Sequence, residues 1–166
     1  MMHESEEKLY EYLNALDIVF EKIEHEAFPT CEASEDFYQK HNLGVNCKNI
    51  FLRNKRGKKH YLVVLKAEKN LDIPVLAEQL EEHRKMGFAS AERLKKYLNL
   101  TPGSVTPFGL IDGNAEEVSV VIDKEIFEDD FVHFHPLRNT ATLKISTKDF
   151  RKFLEDRSSE FLEFYF

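Results

Sequence analysis

Tryptophan is absent from this chain of 166 residues, and cysteine occurs only at Cys31 and Cys47. Two thiols are too few for a disulfide framework or a Cys-rich zinc site, and they fit a reducing compartment. No apolar run approaches the roughly 20 residues of a helical membrane span. The opening "MMHESEEKLYEYLNALDIVF" is acidic and amphipathic rather than basic and continuously apolar, so no signal peptide is expected. Walker, G-x-G-x-x-G and H-E-x-x-H patterns are missing as well, which argues against ATP-, NAD- and zincin-type chemistry. The expectation is a cytoplasmic protein without a cofactor or a membrane partner. Cations are also in short supply, with 23 Lys and Arg against 30 Asp and Glu and a formal charge of -7. Overall charge therefore excludes unselective nucleic-acid binding, and any polyanion has to be met locally.

Such a local patch is present. From Lys48 to His60 the chain carries six Lys or Arg and no acid, leaving 17 cations against the 30 acids elsewhere. "NIFLRNKRGKKHYLVVL" has β-rich apolar runs on both sides of a polar turn with Gly57, the pattern of a hairpin with the cations at its tip. Around it, Leu9, Leu13 and Leu16 predict a helix over 4–17, and "DIVFEKIEH" reads as a strand broken at Phe28 and Pro29. "ASEDFYQKHN" predicts a short helix entered through Ser34. Pro74 and Ser90 start two more helices, the first carrying Val75, Leu76 and Leu80. Strands are predicted at "LID", "VSVVID", "FVHFHP" and "TATLKIS", and Ser146 with Asp149 opens a terminal helix before a last strand "FLEFYF". There is no repeat and no linker, and 42% hydrophobic content suffices for one core, so the chain reads as a single domain over 1–166. Its class is α/β or α+β with a mixed sheet.

The residues that could carry chemistry each have a plainer reading. Arg53, Lys55, Arg56, Lys58 and Lys59 are either RNA-backbone contacts or lysines that keep a hairpin edge from pairing. Lys48 precedes the apolar run, so a strand would hold its ammonium in place against a phosphate or carbonyl; the alternative is a strand-end lysine reaching into water. In Gly103 to Pro107, "GSVTP", the residue types suit a turn that exposes successive N–H groups, or an ordinary helix-to-strand connection. His133 and His135 share a face at strand spacing, but the other histidines (3, 25, 41, 60 and 83) complete no metal-ligand pattern with them. Cys47 as a nucleophile has no supporting local signature, and a buried, inert thiol is the better reading.

Taken in order, "CKNIFLRNKRGKKHYLVVL", "FASAERLKKYLNLTPGSVTPFGLI", "VVIDKEI" and "FHPLRNTATLKIS" resemble the YbaK/ProX family of aminoacyl-tRNA editing domains, most of all its free-standing prolyl-tRNA-associated branch. The resemblance spans nearly the whole chain, and Lys-Asn, G-x-x-x-P and Phe-His-Pro in this order are more specific together than any one alone. It implies a compact α/β fold around a mixed, barrel-like sheet surrounded by helices, and metal-independent deacylation of mischarged tRNA(Pro), with alanyl-tRNA(Pro) the leading substrate. It implies catalytic roles for Lys48, Gly103 and His135, and substrate contacts from Asn49, Ser104, Val105, Thr106 and Pro107. Phe28 is a further candidate for the wall of the amino-acid pocket, or for plain core packing. Cys47 departs from the threonine or serine expected before the lysine, which bears on pocket polarity. Aminoacyl-tRNA and prolyl-tRNA synthetase are the implied partners of a monomer. A non-catalytic tRNA- or synthetase-binding module of the same fold is the alternative.

Overall fold

The order of the strands follows from their burial. In the computed structural model, which describes residues 4–28, 30–158 and 160–166, strands β2 (Cys47–Arg53) and β3 (His60–Lys66) form the expected hairpin, in register from Cys47 opposite Lys66 to Arg53 opposite His60. Pro29 and His3 lie outside the described residues. In β3, His60 to Leu65 are all buried, the signature of a strand covered on both faces. It accordingly takes a central place: β5 (Val118–Asp123) lies parallel to β3, β8 (Glu160–Phe164) parallel to β5, and the two-residue β4 (Gly87–Phe88) edges β2. A second, antiparallel sheet has β7 (Ala141–Ser146) between β1 (Phe20–Glu24) and β6 (Phe131–Phe134).

The mixed α/β fold expected of the chain holds, and its strands fall in two sheets joined by a bridge. Val45 pairs with Val132, and the Val45 N–H donates to the Phe131 carbonyl at 2.9 Å. Gly44 makes the approach possible: at φ +83° a Cβ there would lie 2.2 Å from the Phe131 oxygen.

Alternation along β3 divides the core. Leu62 and Val64 face a large cluster with Leu9 and Leu13 of α1 (Glu4–Ala15), Leu94 and Leu98 of α4 (Ala91–Leu98), and Phe150 and Phe153 of α5 (Thr147–Arg157). Tyr61, Val63 and Leu65 face a smaller one under Leu76 of α3 (Ile73–Gln79) and Met86, while Val75 on that helix points to solvent. Ser90 and Ser146 cap α4 and α5 as expected, accepting from Arg93 N and Asp149 N. Helix α2 (Cys31–Lys40), however, begins at Thr30 rather than Ser34. Thr30 has the extended backbone a cap requires and accepts from Ala33 N at 3.0 Å, whereas Ser34 is already inside the helix. "LID" is not a strand either. It ends a 3-10 helix, Pro107–Ile111, whose five residues are all buried, so no in-and-out alternation exists, and Pro107 at its start suits a helical turn.

The hairpin tip is braced from two sides. Asn54 Oδ1 accepts from Lys58 N and Lys59 N, and Gly57 takes φ +68°. Arg93 of α4 then donates Nη1 to the Gly57 carbonyl (2.9 Å) and to His60 Nε2 (3.0 Å). The lysines of the tip stand on an ordered turn.

Candidate functional site

Two hydrogen bonds bring together residues that are far apart in sequence. Asn49 on β2 donates Nδ2 to the Val105 carbonyl at 3.1 Å, pinning the 103–107 loop to the five-stranded sheet. One residue on, Thr106 donates Oγ1 to the His135 carbonyl at 3.0 Å, tying the loop to the end of β6. Thr106 also accepts from Phe108 N at 3.4 Å as cap of the 3-10 helix, so one hydroxyl sets both the loop exit and the His135 segment. Asn49, the Gly103 loop and the His135 segment therefore form one locality, while Lys48, next to Asn49 on β2 and paired with Leu65, starts from the opposite face of the strand.

Within the loop Gly103 has φ +87°, and a Cβ there would meet nothing within 4 Å. The glycine serves the turn, and the space before it is open. The Ser104 N–H donates to the Thr101 carbonyl, so of the successive N–H groups expected to face a ligand one is already used. Those of Gly103 and Val105 have no protein acceptor among the described residues.

His135 has an assignable tautomer. Its Nδ1 faces the Ala141 carbonyl at 2.8 Å, and a carbonyl can only accept, so Nδ1 carries the proton. Burial lowers its pKa and keeps the ring neutral, which leaves Nε2 a bare acceptor. His133 Nδ1 likewise meets the Leu43 carbonyl at 3.2 Å, but its Nε2 is buried without a partner, as is Asn49 Oδ1. Lys48, half-buried on β2, makes no ion pair among the described residues, unlike Lys66 and Lys69 on the same sheet margin. The Cys47 thiol is pushed far up by burial, away from the thiolate a nucleophile needs. No group of three or more His, Cys, Asp or Glu among the described residues is arranged to hold a metal ion.

Sequence reasoning missed an aromatic wall. Phe28 stacks on His25 (centroids 4.4 Å apart), Phe37 lies 4.9 Å from His25, and His25 lies 6.1 Å from His135. His25 is fixed at both nitrogens, by the Glu26 carbonyl at 2.8 Å and by Thr142 Oγ1 at 2.7 Å. Thr142 follows the Ala141 that holds His135, so both rings hang from one stretch of β7. Nothing in the linear pattern links His25 to a residue 117 positions away. Phe28, exposed in part, belongs to this wall. A roomier hollow of about 720 Å³ lies elsewhere, lined by Ile73, Pro74, Ala77 and Met86 among others.

The residues 25–153 match the family model described as the aminoacyl-tRNA editing domain. The chain belongs to that family. Among similar editing-domain proteins is the "Prolyl-tRNA editing protein ProX" of Acetoanaerobium sticklandii, 37% identical over 149 residues and covering 90% of each chain. The "Prolyl-tRNA synthetase associated domain-containing protein 1" of Bos taurus is 31% identical over 151 residues, 89% of this chain and 87% of that one. A crystal structure described as a candidate trans-editing enzyme for prolyl-tRNA synthetase superposes with a TM-score of 0.71 at 13% identity, covering 96% and 98% of the two chains, and supports the editing-domain fold.

The buried histidines make the fold acid-sensitive. Burial, before any neighbouring charge, lowers both His60 and His133 to about 4 from 6.5. Between those values the unfolded chain binds protons that the folded chain refuses, so stability rises with pH across the window and is complete above about 6.5. The urea midpoint is expected to fall steadily from pH 7 to pH 4.5. A midpoint that stays level over that range would count against the neutral assignment.

Proposed function

We propose that this protein is a single-domain, free-standing deacylase that removes the wrong amino acid from tRNA(Pro), with alanyl-tRNA(Pro) as its substrate. What carries the reading is the pair of hydrogen bonds, Asn49 to Val105 and Thr106 to His135, that joins the Lys-Asn, G-x-x-x-P and Phe-His-Pro segments. A synthetase pocket shaped for proline gains only about 1–3 kcal/mol against an amino acid lacking its methylenes. A second site has to reject the error by admitting the smaller side chain and excluding the ring. Phe28, with His25 and Phe37 behind it, is suited to be that excluding wall.

The ester on the terminal adenosine is already activated, so positioning and oxyanion stabilisation suffice. The N–H groups of Gly103 and Val105 serve the aminoacyl carbonyl, flanked by Ser104 and Pro107. Lys48, which makes no ion pair with a carboxylate among the described residues, holds the phosphate of the terminal adenosine. His135 Nε2 accepts a hydrogen bond from a water or a sugar hydroxyl and so orients the attacking oxygen. The buried, unpartnered Oδ1 of Asn49 is left to receive a donor from the substrate. No step calls for a metal ion. The enzyme acts as a cytoplasmic monomer on aminoacyl-tRNA released by prolyl-tRNA synthetase.

The test is hydrolysis of alanyl-, cysteinyl-, seryl- and prolyl-tRNA by the pure protein. Loss of the alanyl group with prolyl-tRNA spared is the expected result. Hydrolysis of none of the four would make the chain a tRNA- or synthetase-binding module.

A further inference from the structure

Lys85 drew no attention in the sequence, yet the fold carries it to the basic hairpin. A hollow of about 230 Å³ opens between the end of β2 and β4, lined by Arg53, Lys55, Lys85, Met86 and Gly87. No acid lines it, and none of its three cations makes an ion pair among the described residues. Arg53 is pre-set by donation of Nη1 to the Asn54 carbonyl at 3.1 Å. It pairs in register with Gly87, where a Cβ would meet nothing within 4 Å, so one wall is bare backbone. Glu82, three residues before Lys85, is taken up by Tyr61 Oη (2.8 Å) and Asn54 Nδ2 (3.5 Å). In a chain of charge -7, three uncommitted cations around an open hollow make a place for one phosphate.

We propose that this hollow binds a backbone phosphate of the RNA several nucleotides before its 3′ end, with Lys85 as a binding residue. The inference rests on the editing reading, which puts the 3′ terminus at Lys48. Five residues of strand separate Lys48 from Arg53, about 17 Å at 3.3 Å per residue, and the odd step puts the two side chains on opposite faces, so the RNA crosses the β2 edge between them. A stacked strand rises about 3.4 Å per nucleotide, so the hollow meets the phosphate roughly five nucleotides from the reacting end. Phe88 adds a second contact. It is 67% exposed on the same edge strand and projects to the face opposite Gly87, so RNA crossing the edge finds cations on one side and a ring for base stacking on the other.

The experiment uses unacylated RNAs of three to twelve nucleotides sharing one 3′ sequence, with binding followed by fluorescence anisotropy across a range of KCl. For RNAs of eight or more, Lys85→Gln should weaken binding several-fold at low salt and make the slope of log K against log [salt] shallower by about 0.7, one phosphate contact on a single strand. For the three-nucleotide RNA the variant should match wild type. Phe88→Ala should weaken the longer RNAs with the slope unchanged, since stacking releases no counterion. An unchanged slope in Lys85→Gln, a penalty already present with three nucleotides, or no RNA binding at all would overturn the proposal. Inorganic phosphate competing at Lys85 while the RNA slope stays put would make the hollow a free-anion site instead, which also overturns it. Because these RNAs carry no aminoacyl ester, a failed deacylation assay does not decide the outcome, and an unchanged slope would leave the deacylase reading standing.

Discussion

Lys48→Ala should lower kcat/KM for the accepted aminoacyl-tRNA by about 10²–10³, the scale of losing one well-placed electrostatic contact to the reacting group. The effect is expected to be functional and not structural. Lys48 makes no ion pair among the described residues, so the unfolding free energy from urea denaturation should stay within about 0.5 kcal/mol of wild type. Lys48→Arg should recover only part of the loss, because a planar fork cannot take the place of a compact ammonium set by its strand. Wild-type deacylation by Lys48→Ala would remove the role assigned to it. The electrostatic stabilisation would then have to be sought at the Gly103 and Val105 N–H groups.

Phe108→Ala is expected to be the most destabilising of the substitutions considered, at about 3–5 kcal/mol. Phe108 is fully buried, with Phe134 and Phe153 edge-on at 5.9 and 5.5 Å. A typical domain has about 5–15 kcal/mol in hand, so such a loss is a large fraction of it. The site should suffer too. Phe108 follows Pro107 directly and donates its N–H to the Thr106 hydroxyl that holds the His135 carbonyl, so the ring anchors the loop exit in the core. Urea denaturation measures the first effect, and deacylation at a temperature where the variant is still folded measures the second. A cost below about 1 kcal/mol would mean the cavity closes on itself and the loop does not depend on this anchor.

What could be read from the sequence follows from how far each signal reaches. The β2–β3 hairpin was legible because apolar runs, cations and Gly57 lie within one short stretch. Helices α4 and α5 were legible because Ser90 and Ser146 sit next to the turns they cap. Thr30 was overlooked because a serine further on fits the same rule, and only the backbone geometry separates them. "LID" was misread because three apolar or acidic letters carry no period, and its 3-10 form is set by burial on all sides. β4, at two residues, is too short to have a pattern at all. In the candidate site, Lys48, Asn49, Gly103 and His135 were singled out through the order of their motifs, whereas the contacts of His25, Thr142 and Arg93 cross gaps that no local rule spans. The Asn49 and Thr106 bonds, which make the motifs one place, are tertiary facts.

The position of the 103–107 loop has one more consequence. Asn49 belongs to the five-stranded sheet and His135 follows a strand of the three-stranded one, so the loop is tethered to both, near the Val45–Val132 bridge that also spans them. Any relative breathing of the two sheets has to stretch or slacken it. On the proposed role of the loop, acyl-group positioning and sheet-to-sheet rigidity become one mechanical variable, and a substrate that tightens the loop also works as a clasp across the molecule.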